Sequence, residues 1–163
     1  MFIINEAFDD NTAIVIDLNT YARKEMTEID LIRFVNSGHE VLGLSVTGQQ
    51  INYINAYECI SFSMETEADE YIKENGLTFR NKKYINGLYW VLEKKNKKIH
   101  VDYYICTWAG PNATYVTEKG YTPYIQAAKS FTKHEAGKRA VLMTKGSKTG
   151  KIWTTQRVVR RFG

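Results

Sequence analysis

The chain has 163 residues, 44% of them hydrophobic and 25% charged, which is enough for one ordinary domain or two very small ones. Its 11 Tyr, 7 Phe and 3 Trp against only 2 Pro favour an ordered fold with β-strands and exclude a disordered chain, and no apolar run approaches the ~18 residues of a membrane span. Residues 1–60 hold nine acidic and three basic side chains, whereas residues 111–163 hold two acidic and eleven basic ones, so the net charge of +4 conceals an acidic beginning and a basic end.

Residues 1–60 have the pattern of a small ββαββ unit. The apolar runs at 1–7 and 12–19 flank a polar turn cluster and predict an antiparallel hairpin. Thr27 stands where an N-cap residue begins a helix, and Gly38 stands where a left-handed residue ends one. Two further strands are expected on either side of a turn at residues 47–49.

Residues 61–163 are expected to form an antiparallel sheet flanked by two helices. The first of these helices is predicted over residues 67–75, capped by Thr66 and ended by Gly76. Asn96, flanked by lysines, is expected in a tight turn between two long strands. The predicted strands lie at residues 77–80, 87–95 and 97–108, with a short one within 114–121.

The helix near the end of the chain has the clearest signals. Thr132 and Glu135 have the spacing of a capping box, and Phe131 and Ala136 stand at the two positions of a hydrophobic staple. Ala136 also begins an apolar face that continues four and seven residues later. After a turn, the stretch at 151–162 alternates in the manner of a final strand.

These elements predict an α+β fold, with a small ββαββ unit followed by an antiparallel sheet flanked by two helices. Because the charge changes near residue 60, we expect an acidic unit at 1–60 and a basic unit at 61–163. No Ser-, Gly- or Pro-rich linker separates the two, so one continuous domain is the alternative.

Three motifs resemble catalytic or phosphate-binding sequences, and none has the required spacing. The stretch GSKTGK has three residues between its glycines, where a phosphate-binding loop needs four, and it precedes a strand. His134 and Glu135 begin like a zinc-protease helix, but Lys138 stands where the second histidine is needed. His100 and Cys106 share one strand face, yet they lie ~20 Å apart at ~3.3 Å per residue. We therefore predict no enzyme, no catalytic residue, no metal ligand and no cofactor.

The basic end of the chain is the expected binding surface. Lys and Arg side chains on predicted ordered elements are placed to neutralise phosphate groups. The rings of Tyr104 and Trp108 share a strand face and are candidates to stack on bases or on a partner's side chains. A simpler alternative is that the acidic and basic ends lie side by side and neutralise each other. The predicted binding residues are Lys129, Lys133, Lys138, Arg139, Lys145, Lys148, Lys151, Arg157, Arg160, Arg161, Tyr104 and Trp108.

The Lys-, Asn-, Ile- and Tyr-rich composition, the β-rich middle and the stretch SFTKHEAGKRAVLM at residues 130–143 resemble small accessory proteins of phages and mobile elements of Gram-positive bacteria. That group includes inhibitors of host defence, anti-CRISPR proteins among them, which bind a nuclease–guide RNA complex without catalysis. The resemblance implies the same function for this chain, exerted through the basic C-terminal surface in the cytoplasm of a bacterial host cell. No catalytic or binding residue carries over from it.

Two alternatives remain open. A DNA- or RNA-binding regulatory protein of a phage or mobile element would use the same surface on free nucleic acid. An enzyme would use the strand face from His100 to Trp108. The expected partner is thus a nucleoprotein, namely a nuclease–guide RNA complex, or nucleic acid, and neither a membrane nor a small-molecule substrate is expected. Salt-dependent binding to random duplex separates a regulator from an inhibitor.

Overall fold

The computed structural model describes residues 1–95 and 97–161, and within them the chain forms three α-helices and thirteen strands. The predicted α+β class is confirmed. Two compact units are present, which we call unit 1 (Met1–Ile99) and unit 2 (His100–Gly163). The boundary expected near residue 60 falls instead inside a strand of unit 1, so the charge changes there without a break in the sheet. No helix of the described residues is long and apolar enough to cross a membrane.

Unit 1 begins with the predicted hairpin. Its first sheet has the strand order β3-β2-β1-β4, in which β1 pairs antiparallel with β2 and parallel with β4. The hairpin is stabilised by burial of β-branched side chains, since Ile3 and Ile4 of β1 are fully removed from solvent and Val15 of β2 is buried. The strands are β1 (Phe2–Ala7), β2 (Ala13–Asp17), β3 (Arg23–Met26) and β4 (Val41–Leu42).

Helix α1 (Glu28–Asn36) begins and ends where the sequence predicts. The Thr27 side chain accepts a hydrogen bond from the Asp30 backbone, and the Asp30 carboxylate accepts one from the Thr27 backbone, so both halves of a capping box are present. Hydrogen bonding of the Asp30 carboxylate to the side chain and the backbone N–H of Thr27 lowers the pKa of Asp30. Gly38 ends the helix with a φ of 101°, a left-handed conformation that glycine adopts without strain.

The rest of unit 1 is a hairpin, a three-stranded sheet and a second helix, α2 (Glu65–Glu74). Helix α2 starts two residues before the predicted position, with Met64 rather than Thr66 as its N-cap residue. The second half of the strand predicted at residues 77–80 belongs instead to a 3₁₀ helix, Phe79–Asn81. The three-stranded sheet has the order β7-β9-β8. The strands are β5 (Leu44–Thr47), β6 (Gln50–Ile54), β7 (Ala56–Phe62), β8 (Lys82–Ile85) and β9 (Leu88–Lys95).

Unit 2 contains one four-stranded antiparallel sheet in the order β12-β11-β10-β13, with helix α3 (Lys133–Gly146) packed against β10 and β13. The single sheet predicted for residues 61–163 is therefore two sheets, because β9 pairs with β7 and β8 whereas β10 pairs with β11 and β13. The tight turn predicted at Asn96 lies outside the described residues. The strands are β10 (His100–Ala109), β11 (Asn112–Val116), β12 (Tyr121–Thr122) and β13 (Thr154–Arg160).

The two faces of this sheet have different neighbours. On one face, Tyr104, Cys106 and Tyr115 form a buried cluster that packs against Ile125 and Ala128, in and beside a 3₁₀ helix. On the other face, the register places Thr114 and Tyr121, which line a cleft together with Met143 of α3. Because side chains alternate along a strand, α3 covers the face opposite to the Tyr104 cluster.

Candidate functional site

Helix α3 is fixed at both ends by side-chain hydrogen bonds. At its start, the Thr132 hydroxyl accepts a hydrogen bond from the Glu135 backbone N–H at 3.2 Å, which confirms the Thr132 half of the predicted capping box. Near its end, the Thr144 hydroxyl accepts from the Trp153 backbone N–H at 2.9 Å and lies 3.2 Å from the Trp153 carbonyl oxygen. The helix therefore holds its side chains in a defined direction relative to β13.

The buried side of α3 follows the predicted apolar face. Ala136 and Ala140 are buried, and Met143 is half-buried. Small residues at the first two positions allow the helix backbone to approach the sheet closely. The opposite side of α3 is left to solvent.

The solvent side of α3 combines basic and apolar side chains. At 100° per residue, five exposed side chains fall within an arc of about 100°, centred opposite the buried alanines. Two of the five are aliphatic, and Val141 and Leu142 are 54% and 60% exposed. We call this set the α3 outer face: His134, Lys138, Val141, Leu142 and Lys145.

Two further cations lie beside the start of α3. The Lys129 ammonium is 5.4 Å from the centre of the Phe131 ring, and the Arg139 guanidinium carbon is 5.1 Å from it. Both distances are within the range of cation–π attraction, and Phe131 itself is buried. The Phe131 ring thus contacts two of the predicted basic residues.

The turn after α3 carries two more of the predicted lysines. Lys148 and Lys151 are exposed. The turn is held by Ser147, whose hydroxyl accepts a hydrogen bond from the Lys151 backbone N–H at 3.0 Å and lies 3.4 Å from the Thr149 hydroxyl. Together, α3 and this turn carry six of the predicted basic residues: Lys133, Lys138, Arg139, Lys145, Lys148 and Lys151.

The two arginines of β13 lie on opposite faces of the sheet, whereas the sequence predicted one positive surface. Arg160 lies on the sheet face opposite to α3, where its Nε donates to the Asp102 carboxylate at 2.9 Å and its Nη2 donates to the Tyr104 hydroxyl at 2.7 Å. Arg157 alternates with Arg160 and lies on the α3 side, where it is half-buried opposite Tyr103. The expectation that Arg157 and Arg160 share one positive surface is therefore wrong, because the pleat sends them to opposite faces.

Asp102 is the centre of a small polar network. It accepts from Arg160 through one carboxylate oxygen, and its other oxygen lies 2.7 Å from the His100 imidazole nitrogen. Burial of the carboxylate favours its neutral form, but the hydrogen bonds from Arg160 and His100 outweigh that effect and lower the pKa of Asp102. The hydrogen bonds that Arg160 donates to Asp102 and Tyr104 raise the pKa of Arg160. The network ties β10 to β13.

Tyr104 and Trp108, the aromatic pair predicted on β10, differ in their exposure to solvent. The strand alternation from His100 to Trp108 is confirmed by the pairing register, but Tyr104 is only 5% exposed. Its ring packs in the cluster with Cys106 and Tyr115, and its hydroxyl is bound to Arg160. Tyr104 therefore cannot present its ring to a base, whereas Trp108 is exposed.

Three more of the predicted basic residues are exposed to solvent: Lys133, Arg139 and Arg161.

Sequence reasoning missed an aromatic cleft in unit 2. The ring of Tyr121 stacks on the ring of Trp153, with centroids 5.4 Å apart and planes 27° from parallel. Both rings line a cleft of about 390 Å³ that also includes Met143 and Lys151. The two aromatic residues are 32 positions apart in the sequence, so no local pattern joins them. The missed Val141 and Leu142 did leave a signal, since they are apolar residues outside the predicted buried stripe of α3.

The two cysteines, Cys59 and Cys106, are free, and neither side chain is fully exposed to solvent. Burial raises the pKa of the Cys59 thiol to about 11, and Cys106 is almost fully buried. Within residues 1–95 and 97–161, no group of three or more His, Cys, Asp or Glu side chains is placed to hold a metal ion. The chain matches no protein-family model, no curated protein and no solved structure.

Proposed function

We propose that this protein is a non-enzymatic binding protein that inhibits a host-defence nucleoprotein, of the kind a nuclease forms with its guide RNA, and that unit 2 makes the contact. The observation that carries the proposal is the α3 outer face. Its lysines suit the phosphate groups of the RNA, and its exposed aliphatic side chains suit an apolar patch of the protein component.

The distribution of charge supports this partner. Unit 1 carries 15 acidic and 11 basic side chains, and unit 2 carries 3 acidic and 11 basic ones, which gives net charges of −4 and +8. A positive unit attracts RNA over the range that salt leaves unscreened. A nucleoprotein offers both phosphate and basic protein surface, so it can attract units of either sign.

The surroundings of the Cys59 thiol and the Asp102 carboxylate support a function without catalysis. A thiol with a pKa of about 11 is protonated at neutral pH, so Cys59 is a poor nucleophile. Asp102 is held between His100 and Arg160, which gives it a structural partner on both sides. The resemblance of residues 130–143 to accessory proteins of phages points to the same class of function, and these residues span the start of α3 and most of its outer face.

The test is inhibition of purified CRISPR nuclease–guide RNA complexes by the wild-type protein and a charge-reversal variant. Lys138→Glu with Lys145→Glu should weaken binding and inhibition strongly, because it replaces two favourable phosphate contacts by repulsion. The control is Lys97→Glu with Lys98→Glu, which makes the same charge change at two exposed lysines of unit 1. The control should inhibit as the wild type does.

Salt dependence supplies the second measurement. The logarithm of the binding constant should fall with the logarithm of salt concentration, and the slope should decrease by about 1 for each phosphate contact that a variant loses. Equal inhibition by both double variants contradicts the proposal. Binding to the guide RNA alone as tight as to the complex would indicate a nucleic-acid-binding regulator instead.

A further inference from the structure

The cleft of unit 2 points to recognition of unpaired nucleotides. We infer that Tyr121 is a stacking platform for a nucleobase, with Lys151 beside it to meet the phosphate. The inference rests on the proposed function, because it names the part of the nucleic acid that unit 2 contacts. Single-stranded RNA and single-stranded DNA share this chemistry.

The Tyr121 ring is both exposed and held in place. It is 64% exposed, although one of its faces packs against Trp153, which is only 9% exposed. The backbone of Trp153 is held by the Thr144 hydroxyl, which accepts a hydrogen bond from the Trp153 N–H and lies 3.2 Å from the Trp153 carbonyl oxygen. An aromatic ring that is supported from behind loses little conformational entropy when a second ring stacks on its open face.

The walls of the cleft suit a base and its phosphate. Met143 lines the cleft and supplies a flexible, polarizable side chain that adapts to flat ligands. Lys151 also lines it, and the hydrogen bond from its backbone to Ser147 fixes the course of the turn. Lys145, in the last turn of α3, and Lys148, in the turn that follows, are exposed and add positive charge. Base stacking with a cation close by is the usual arrangement in proteins that bind single strands.

A nucleic-acid duplex cannot place a base on the Tyr121 ring. The faces of paired bases are covered by their neighbours in the stack, so a base must be unpaired to lie on Tyr121. The inference therefore predicts a preference for single strands over duplex, which charge alone does not produce.

The experiment measures the affinity of the full-length protein for poly(U), poly(dT) and a random DNA duplex. The wild type should bind the single strands more tightly than the duplex at the same salt concentration. Tyr121→Ala should weaken single-strand binding roughly 10- to 100-fold, the loss expected for one base–aromatic stack. Tyr121→Phe keeps the ring and should bind as the wild type does.

The matched control is Tyr124→Ala. Tyr124 is 67% exposed, lies three residues away and does not line the cleft. Its substitution should leave single-strand affinity within about twofold of the wild type. Lys151→Glu reverses a charge at another residue that lines the cleft, and it should weaken binding to single strands because it repels the phosphate. Urea unfolding of each variant verifies that the fold is retained.

The outcomes separate the two proposals. If Tyr121→Ala binds poly(U) as the wild type does, or if the wild type binds duplex equally well, the cleft inference is overturned. In that case, weaker binding of the Lys138→Glu, Lys145→Glu variant to the nuclease–guide RNA complex still supports the proposed function. Absence of salt-dependent binding to any nucleic acid or nucleoprotein overturns both. A preference between poly(U) and poly(dT) assigns the single strand to RNA or DNA.

Discussion

Arg160 shows how pairing between distant strands decides the role of a charged side chain. The register of β10 and β13 places it opposite His100 and diagonal to Asp102, so its guanidinium becomes part of the fold. The carboxylate of Asp102 is mostly shielded, whereas Arg160 is more open to solvent. An ion pair of this kind is stronger than a fully exposed one, although salt still screens it in part.

The lowered pKa of Asp102 predicts a pH-dependent contribution to stability. Because the folded-state pKa lies below the ordinary value of 3.8, this group stabilises the fold above that value, and the effect is lost as pH falls through the folded pKa. Asp102→Asn should therefore lower the urea midpoint at neutral pH, and the difference from wild type should shrink below pH 3.8. Glu118→Gln, at an exposed carboxylate of the same unit, is the control and should show a much smaller difference.

Gly43 allows two backbone segments of unit 1 to meet. Its φ is +94°, and the Asn55 N–H donates to its carbonyl at 2.7 Å. A Cβ at this position would collide with the Asn55 carbonyl oxygen, which belongs to the backbone and cannot swing away. Gly48 also has a positive φ, of 62°, but a Cβ there meets open space.

These two glycines give a matched pair of substitutions. Gly48→Ala should cost about 1–2 kcal/mol, the cost of a left-handed conformation for a residue with a Cβ. Gly43→Ala should cost clearly more, because the backbone at Asn55 must shift as well. Urea unfolding of the two variants measures the difference, and equal midpoints would show that the close approach at Gly43 is not maintained in solution.

Helix α3 depends on its cap because its own sequence supports it weakly. It contains two glycines, and its buried side offers mainly alanine, which removes little apolar surface from water. Thr132→Ala should therefore cost ~1 kcal/mol of stability. Ser130→Ala changes an exposed hydroxyl two residues earlier and should leave the urea midpoint within the error of measurement. A Thr132 variant with the same midpoint as Ser130→Ala would argue against the cap.

Helices were predictable from the sequence because their signals are local. Thr27 with Asp30 and Thr132 with Glu135 lie within one helical turn, and both N-caps are found where the spacing puts them. The strands β3 and β8 were missed because both are edge strands, and their mixed exposure carries little apolar alternation. The 3₁₀ helix at residues 79–81 replaced a predicted strand, since a four-residue run contains too few positions to distinguish the two.

The candidate site was predictable in part for the same reason. The exposure of the lysines on α3 follows from the helical period, which needs only the sequence of the helix itself. The partition of Arg157 and Arg160 between two sheet faces also follows from the alternation within a single strand. The face that α3 covers, the burial of Tyr104 and the pairing of Tyr121 with Trp153 depend instead on which elements are neighbours. Such contacts join residues that are tens of positions apart, and periodicity does not specify them.

At the scale of the whole molecule, the charge is divided between two compact units. The boundary at residue 99 leaves a net charge of +8 on the 64 residues of unit 2, which carries three acidic and eleven basic side chains, and a net charge of −4 on unit 1. A ligand that binds the positive unit should therefore stabilise and protect its elements first. This expectation can be measured without any substitution, because hydrogen exchange reports on each element separately.

Adding poly(U) at low salt should slow amide exchange in α3 and in β13, and leave exchange in β1 and β2 of unit 1 close to its rate in the free protein. The physical reason is mass action, since a ligand at a concentration of about 100 times its Kd stabilises the form that binds it by about 2.7 kcal/mol. High salt should abolish the effect, because the released counterions no longer favour binding. The Lys138→Glu, Lys145→Glu variant is the comparison protein that binds weakly. Adding poly(U) to it should slow amide exchange little at any salt concentration. Slowing centred on unit 1 would place the contact on the acidic unit and contradict the assignment of binding to unit 2.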